Sequence, residues 1–215
     1  MTEKDLKKKA AEIVSRLEDI YPNVECALEY NGEPWKLLVM GRLSAQCTDA
    51  RVNIVCRELF SEYPTPEALA KGNIANIEKI VYPCGLYRVK SREIQEECRM
   101  LTEDFGGVLP DTMEELLRFP GVGRKVANLL LGDIYKKPAI VADTHCMRIS
   151  RRLGLVSPDD KNPHVIERKL SSVIEPEKQS DLCHRLVFFG RDVCRSRDPQ
   201  CASCMLSDLC PSKKV

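Results

Sequence analysis

The chain reads as an all-α protein of short, capped helices, and three observations predict this. Apolar residues recur at spacings of three and four, convincing two-residue alternation is absent, and helix-start residues stand ahead of the apolar stretches. With 215 residues, 43% hydrophobic and 30% charged, it can bury one large core or two small ones. No repeat, low-complexity tract or long flexible linker appears, so two domains would pack closely rather than hang on a tether.

The elements follow in order. Leu6, Ala10, Ile13, Val14, Leu17 and Tyr21 form one stripe of an amphipathic helix, with Thr2 and Asp5 placed to cap it. Pro34 opens WKLLVMGRL, Thr48 and Asp49 open ARVNIVCRELF, Thr65-Pro66 opens EALA, and Thr112 with Glu115 opens LLRF. Breaks fall at Asn31-Gly32, Pro64, Pro83 to Gly85, Gly106-Gly107 with Pro110, Gly121 to Gly123, Pro138, Pro158 and Pro163. Residues 116–131, LLRFPGVGRKVANLLL, predict a short helix, a tight turn over Pro120, Gly121, Val122 and Gly123, and a second helix from near Arg124. The AIVA run at 139–142 is too brief to imply a sheet. Asp143, in VADTHCMR, suits the N-cap of a helix whose apolar spacing continues through Ile149 and Leu153.

Composition narrows the functional classes. A formal net charge of +1 does not by itself announce a polyanion ligand, but Arg148, Arg151, Arg152, Arg191, Arg195, Arg197, Lys213 and Lys214 concentrate basic charge late in the chain. The segment from Met1 to Ala11 is lysine-rich and polar, and nowhere do about 18 apolar residues run together, so neither an export signal nor a membrane span is expected. Seven of the 11 cysteines stand singly, at Cys26, Cys47, Cys56, Cys84, Cys98, Cys146 and Cys183. They predict a reducing compartment, the cytoplasm or nucleoid, and small apolar packing roles.

The other four, Cys194, Cys201, Cys204 and Cys210, are spaced C-x6-C-x2-C-x5-C. Structural zinc sites are usually built from two separated short knuckles, and here one short knuckle is flanked by looser arms, so an iron-sulfur cluster leads over zinc. A disulfide framework is the weakest of the three readings.

The glycine turn carries chemistry of its own. Gly121 and Gly123 let the backbone approach another surface, and a helix N-terminus beside them offers free amides to an anion. A helix-hairpin-helix of this kind grips a DNA phosphate without reading sequence, here through Gly121, Val122, Gly123 and Arg124, whereas the segment taken alone also reads as a plain glycine connector between helices. Lys125 is the candidate nucleophile, its alternative role being that of a surface lysine paired with phosphate. A lysine amine, with an ordinary pKa of about 10.4, must be made neutral to attack, and a helix N-terminus, neighbouring Arg124 and desolvation under DNA all oppose the ammonium form. Asp143 is a helix cap that, if it faces Lys125, also stabilises positive charge developing on a sugar or helps move protons.

Taken with LSAQCTD at 43–49, CGLY at 84–87, FPGVGRK at 119–125 and VADTH at 141–145, the cysteine pattern resembles the endonuclease III family of DNA glycosylase/AP lyases, in the right order and over essentially the whole chain. The resemblance implies two packed helical domains, a six-helix domain over 27–137 and an iron-sulfur domain from 1–26 plus 138–215. Lys125 matches the family's catalytic lysine, which displaces an oxidised pyrimidine, forms a Schiff base with the sugar and cleaves 3′ to the lesion by β-elimination. Asp143 matches the catalytic aspartate. Gln46 and Leu86 match residues that fill the gap left by the flipped nucleotide, although by composition alone Leu86 reads as core and Gln46 as a loop hydrogen-bonder. The four cysteines match ligands of a [4Fe-4S] cluster that would hold a loop carrying Arg195 and Arg197 against DNA.

The implied partner is double-stranded DNA with damaged pyrimidines or abasic sites, bound by a monomer. Phe119 departs from the leucine usual in the family, and Cys47 and Cys146 sit beside functional motifs. An adenine glycosylase of the same superfamily fits poorly, lacking a lysine at position 125. A noncatalytic iron-sulfur DNA-binding or electron-transfer protein would need neither Lys125 nor Asp143.

Overall fold

The computed structural model describes residues Thr2–Lys213, and Lys214, counted above among the basic residues, lies outside them. Eleven α-helices and two 3-10 turns, with no strand, make up the regular structure of the described residues. The chain divides into two compact units. One takes the chain as far as Glu25 together with the chain from Lys136, and the other is Cys26–Tyr135.

The first unit holds α1 (Glu3–Ile20), α9 (Thr144–Arg152), α10 (Pro163–Val173) and α11 (Gln179–Asp192). Thr2 and Asp5 cap α1 reciprocally, each side chain accepting from the other's backbone amide at 3.2 Å. The predicted stripe then buries Ala10, Ile13, Val14 and Leu17 against α10 and α11, each larger side chain contributing about 1.5–3 kcal/mol by leaving water. Pro163, read above as a break, occupies the first turn of α10, where its missing N–H costs nothing. Residues 139–142 form neither helix nor strand.

The Cys26–Tyr135 unit contains α2 (Pro34–Leu43), α3 (Asp49–Glu62), α4 (Pro66–Ala70), α5 (Ile74–Val81), α6 (Tyr87–Glu103), α7 (Met113–Leu116) and α8 (Arg124–Asp133). Thr48, Thr65 and Thr112 cap α3, α4 and α7 as their spacing predicts. Asn73 caps α5 with its side-chain oxygen. Helix α2 is apolar on nearly every side, and accordingly it is packed by α3, α6 and α8. Gly41 permits the approach of α8: a Cβ there would fall 2.8 Å from Cγ1 of Val126. Phe119 is buried and stacks on Phe105 with ring centroids 5.2 Å apart, so the larger side chain at this position has a partner of its own.

Candidate active site

The hairpin is α7, a tight turn and α8. Helix α8 starts at Arg124, and its N-cap is Gly123, which brings no capping side chain. The two glycines differ in what they do. Gly121 has φ +74, and a Cβ would fall 2.3 Å from Nε and 2.4 Å from Cδ of Arg42, so this residue closes against its own unit. Gly123 has an ordinary φ of −100, and a Cβ would meet nothing within 4 Å. Nothing lies within 4 Å on that side of Gly123, and the N-cap itself supplies no side chain to the first-turn amides of α8. Val122 is buried and ties the turn through its amide to the Phe119 carbonyl at 3.2 Å. Lys125, the second residue of α8, is exposed, beside the positive end of the helix dipole.

Asp143 is the N-cap of α9, with Oδ1 accepting from the Cys146 amide at 2.7 Å. That bond fixes the carboxylate's orientation and engages one of its oxygens. Lys125 and Asp143 belong to different units.

Gln46 and Leu86 are brought into one construction. Gln46 lies exposed between α2 and α3 with φ 56, and Leu86 caps α6 with φ 48. Leu86 is 58% exposed and so is not the core residue its composition suggests. A bulky side chain in the left-handed region and in water is doubly unfavourable for folding. Beneath both loops lies Lys90, fully buried, whose Nζ donates to the carbonyls of Leu43 at 2.9 Å, Ala45 at 2.7 Å and Cys84 at 2.8 Å. Burial lowers the Lys90 pKa, opposed by the thiols of Cys84 and Cys47. Burial, followed by the neighbouring Cys47 thiol, pushes Cys84 up to about 12.

Cys194, Cys201, Cys204 and Cys210 line one cavity together with Phe189 and Leu153. Among the described residues no group of three or more His, Cys, Asp or Glu is placed to hold a metal ion. Burial raises the thiols of Cys204 and Cys210, while backbone N–H groups of Leu206 and Ser212 favour the thiolates.

Arg152 donates to the Cys194 sulfur at 3.4 Å and to the carbonyls of Arg195 at 2.7 Å and Ser196 at 3.0 Å. Arg148 donates to the carbonyls of Gly190 at 3.2 Å and Cys194 at 3.0 Å. Two of the arginines that concentrate basic charge late in the chain therefore clasp the cysteine loop. Arg195 and Arg197 stay exposed on it.

Sequence reasoning missed Arg42, Lys90, Arg148 and Arg152 as builders of these sites. Lys90 in YRVKSREI has no local mark of burial, and only the folded chain places three carbonyls around its amine.

Residues 39–176 match the HhH-GPD superfamily of base excision DNA repair proteins. The endonuclease III of Synechocystis sp. is 43% identical over 210 residues, covering 97% of this chain and 94% of its own. A solved non-covalent endonuclease III–DNA complex superposes with a TM-score of 0.90 at 39% identity, over 96% of each chain. A trapped endonuclease III–DNA covalent intermediate, an estranged-adenine complex, gives 0.89 at 38% identity, over 99% of this chain and 97% of that one.

The class is thus a helix-hairpin-helix base excision repair protein, and the chain belongs to the endonuclease III family within it. It is a DNA-binding, bifunctional DNA glycosylase/AP lyase. No helix of the described residues is long and apolar enough to cross a membrane.

Proposed function

We propose that this chain excises oxidised pyrimidines from duplex DNA with Lys125 as the nucleophile, then cleaves the strand 3′ to the abasic site by β-elimination. The observation that carries this is an exposed lysine in the first turn of a helix capped only by glycine, beside an open backbone face. A phosphate seated on the first-turn amides, with Gly121, Val122, Gly123 and Arg124 around it, brings the deoxyribose of a flipped nucleotide to the Lys125 amine. Nζ bonds to C1′ as the base leaves with the glycosidic electron pair. Loss of the amine protons and opening of the ring give the imine. The imine acidifies the C2′ hydrogen, whose removal expels the 3′ phosphate, and water then frees the lysine.

Asp143, held by its cap bond, offers negative charge to the oxocarbenium-like sugar or receives a proton. Gln46 and Leu86 occupy the space vacated by the extruded nucleotide, the amide meeting the orphaned base and the leucine its stacking neighbours.

The four cysteines fit a [4Fe-4S] cluster. All four line one cavity, and their spacing, with a single short knuckle between looser arms, favours such a cluster over zinc. The cluster would supply a cross-link to a loop with few apolar residues of its own. This chain's residues orient that loop through Arg148 and Arg152, leaving Arg195 and Arg197 for phosphate. We take the Cys26–Tyr135 unit as the hairpin domain and the other as the cluster domain of a monomer that works in the cytoplasm, on nucleoid DNA.

The test is incubation of holo-protein with duplex DNA containing thymine glycol, with borohydride added, for the unchanged protein, Lys125→Ala and Asp143→Asn. Base release and a covalent adduct are expected from the unchanged protein, no adduct from Lys125→Ala, and slowed release from Asp143→Asn. An adduct surviving Lys125→Ala removes that residue from its role.

A further inference from the structure

We propose that Lys90 is a positioning residue for base extrusion, setting the height and spacing of the two loops that present Gln46 and Leu86. This rests on the reading of those two residues as gap fillers. Each loop ends at a carbonyl held by the same ammonium group. Ala45, whose oxygen accepts at 2.7 Å, immediately precedes Gln46, and Leu43, at 2.9 Å, is the last residue of α2. Cys84, at 2.8 Å, is two residues before Leu86. The Lys90 backbone completes the grip, its own amide donating to the Leu86 carbonyl at 3.0 Å. One residue thereby brackets the Gly85-Leu86 turn from both sides and ties it to the Ala45-Gln46 turn.

The stoichiometry of donors matches. An ammonium has three N–H groups and three carbonyls surround it, while a neutral amine would leave one carbonyl without a donor. The position is fully buried, so water does not substitute for a lost bond. Both presented residues have positive φ, 56 at Gln46 and 48 at Leu86, a conformation that non-glycine residues leave unless neighbouring structure imposes it. A cross-link through backbone carbonyls imposes it without using either presented side chain.

A lysine serving only stability affects all substrates alike, whereas one acting through the gap-filling loops matters only where a nucleotide must be drawn from a paired duplex. The experiment uses holo-protein and its Lys90→Met, Gln46→Ala and Leu86→Ala variants. Borohydride trapping rates are measured on an abasic site in duplex DNA and on the same site in an unpaired bubble, with melting temperatures alongside. For Lys90→Met the duplex-to-bubble rate ratio is expected to fall about tenfold or more, in parallel with Gln46→Ala and Leu86→Ala. If Gln46→Ala and Leu86→Ala leave the ratio unchanged, the gap-filling reading itself fails. If they lower it and Lys90→Met does not, or if Lys90→Met slows both substrates equally, the positioning role is overturned. Should the methionine variant not fold, Lys90→Gln, with a shorter amide donor, gives the same reading: a lowered ratio supports the role and an unchanged ratio overturns it.

Discussion

Replacing Gly121 with alanine adds one methyl group, and the structure says where it goes. At φ +74 an L-residue gives up about 1–2 kcal/mol relative to glycine. The new Cβ would also stand 2.3 Å from Nε and 2.4 Å from Cδ of Arg42, with Glu93 Cδ at 3.2 Å. Arg42 cannot swing away freely, because Glu93 holds it in an ion pair and only 11% of its side chain is exposed. Forcing a methyl into packing of this kind costs about 1–3 kcal/mol. The sum, roughly 2–5 kcal/mol, lowers the melting temperature by roughly 5–15 °C for a chain of this size.

Gly123→Ala is the internal control. Its Cβ meets nothing and its φ of −100 suits any residue, so stability should change by less than about 0.5 kcal/mol. Affinity for duplex DNA should nevertheless fall, since the methyl occupies the face left open for a phosphate. Thermal denaturation and fluorescence anisotropy with abasic-analogue DNA, run on both variants, separate the two effects. A Gly121→Ala protein as stable as the parent would refute the packing argument. A Gly123→Ala protein with undiminished affinity would refute the assignment of that face.

Leu86→Gly relieves left-handed strain while losing an exposed side chain, so stability should stay within about 1 kcal/mol of the parent. Duplex incision should fall about tenfold, measured by gel assay, since the stacking replacement is gone. Glu97 is fully buried, neither oxygen has a hydrogen-bond partner among the described residues, and burial raises its pKa well above the usual carboxylate value. A raised folded pKa contributes stability that is full below about pH 4.5 and declines as pH rises toward that folded value. Glu97→Met should therefore outlast the parent in melting experiments, by a margin that widens between about pH 5 and 8; a margin independent of pH would count against a titrating Glu97. Chelation of iron should bleach the visible absorption and open the chain to protease between Cys194 and Cys210, leaving Cys26–Tyr135 protected. Loss of protection throughout would show that the cluster supports more than its own loop.

Much of the architecture was legible because its signals are local. Thr48, Thr65 and Thr112 cap the helices they precede, the α1 stripe buries as its spacing requires, and α8 begins at Arg124 as the glycine turn predicts. What stayed hidden depends on partners far along the chain. Lys90 reaches Leu43 and Ala45 from more than 40 residues away, and Arg152 reaches Ser196 from 44. A lysine or arginine in a helical stretch has the same local pattern whether it faces water or clasps buried carbonyls. Leu86 illustrates the converse: leucine in a short apolar turn suggests burial, and only the folded chain, with Leu86 at positive φ and 58% exposed, shows otherwise. Gly121 and Gly123 read as one motif in the sequence, yet their separate purposes emerge only from what a Cβ would meet at each.

The reaction turns on which nitrogen bonds to the sugar. Borohydride-reduced complexes of the unchanged holo-protein with abasic duplex DNA, digested and sequenced by mass spectrometry, locate that bond directly. The modified peptide should begin from the α8 terminus and carry the deoxyribose remnant on Lys125. A remnant on any other amine, with Lys125 recovered unmodified, would contradict the account.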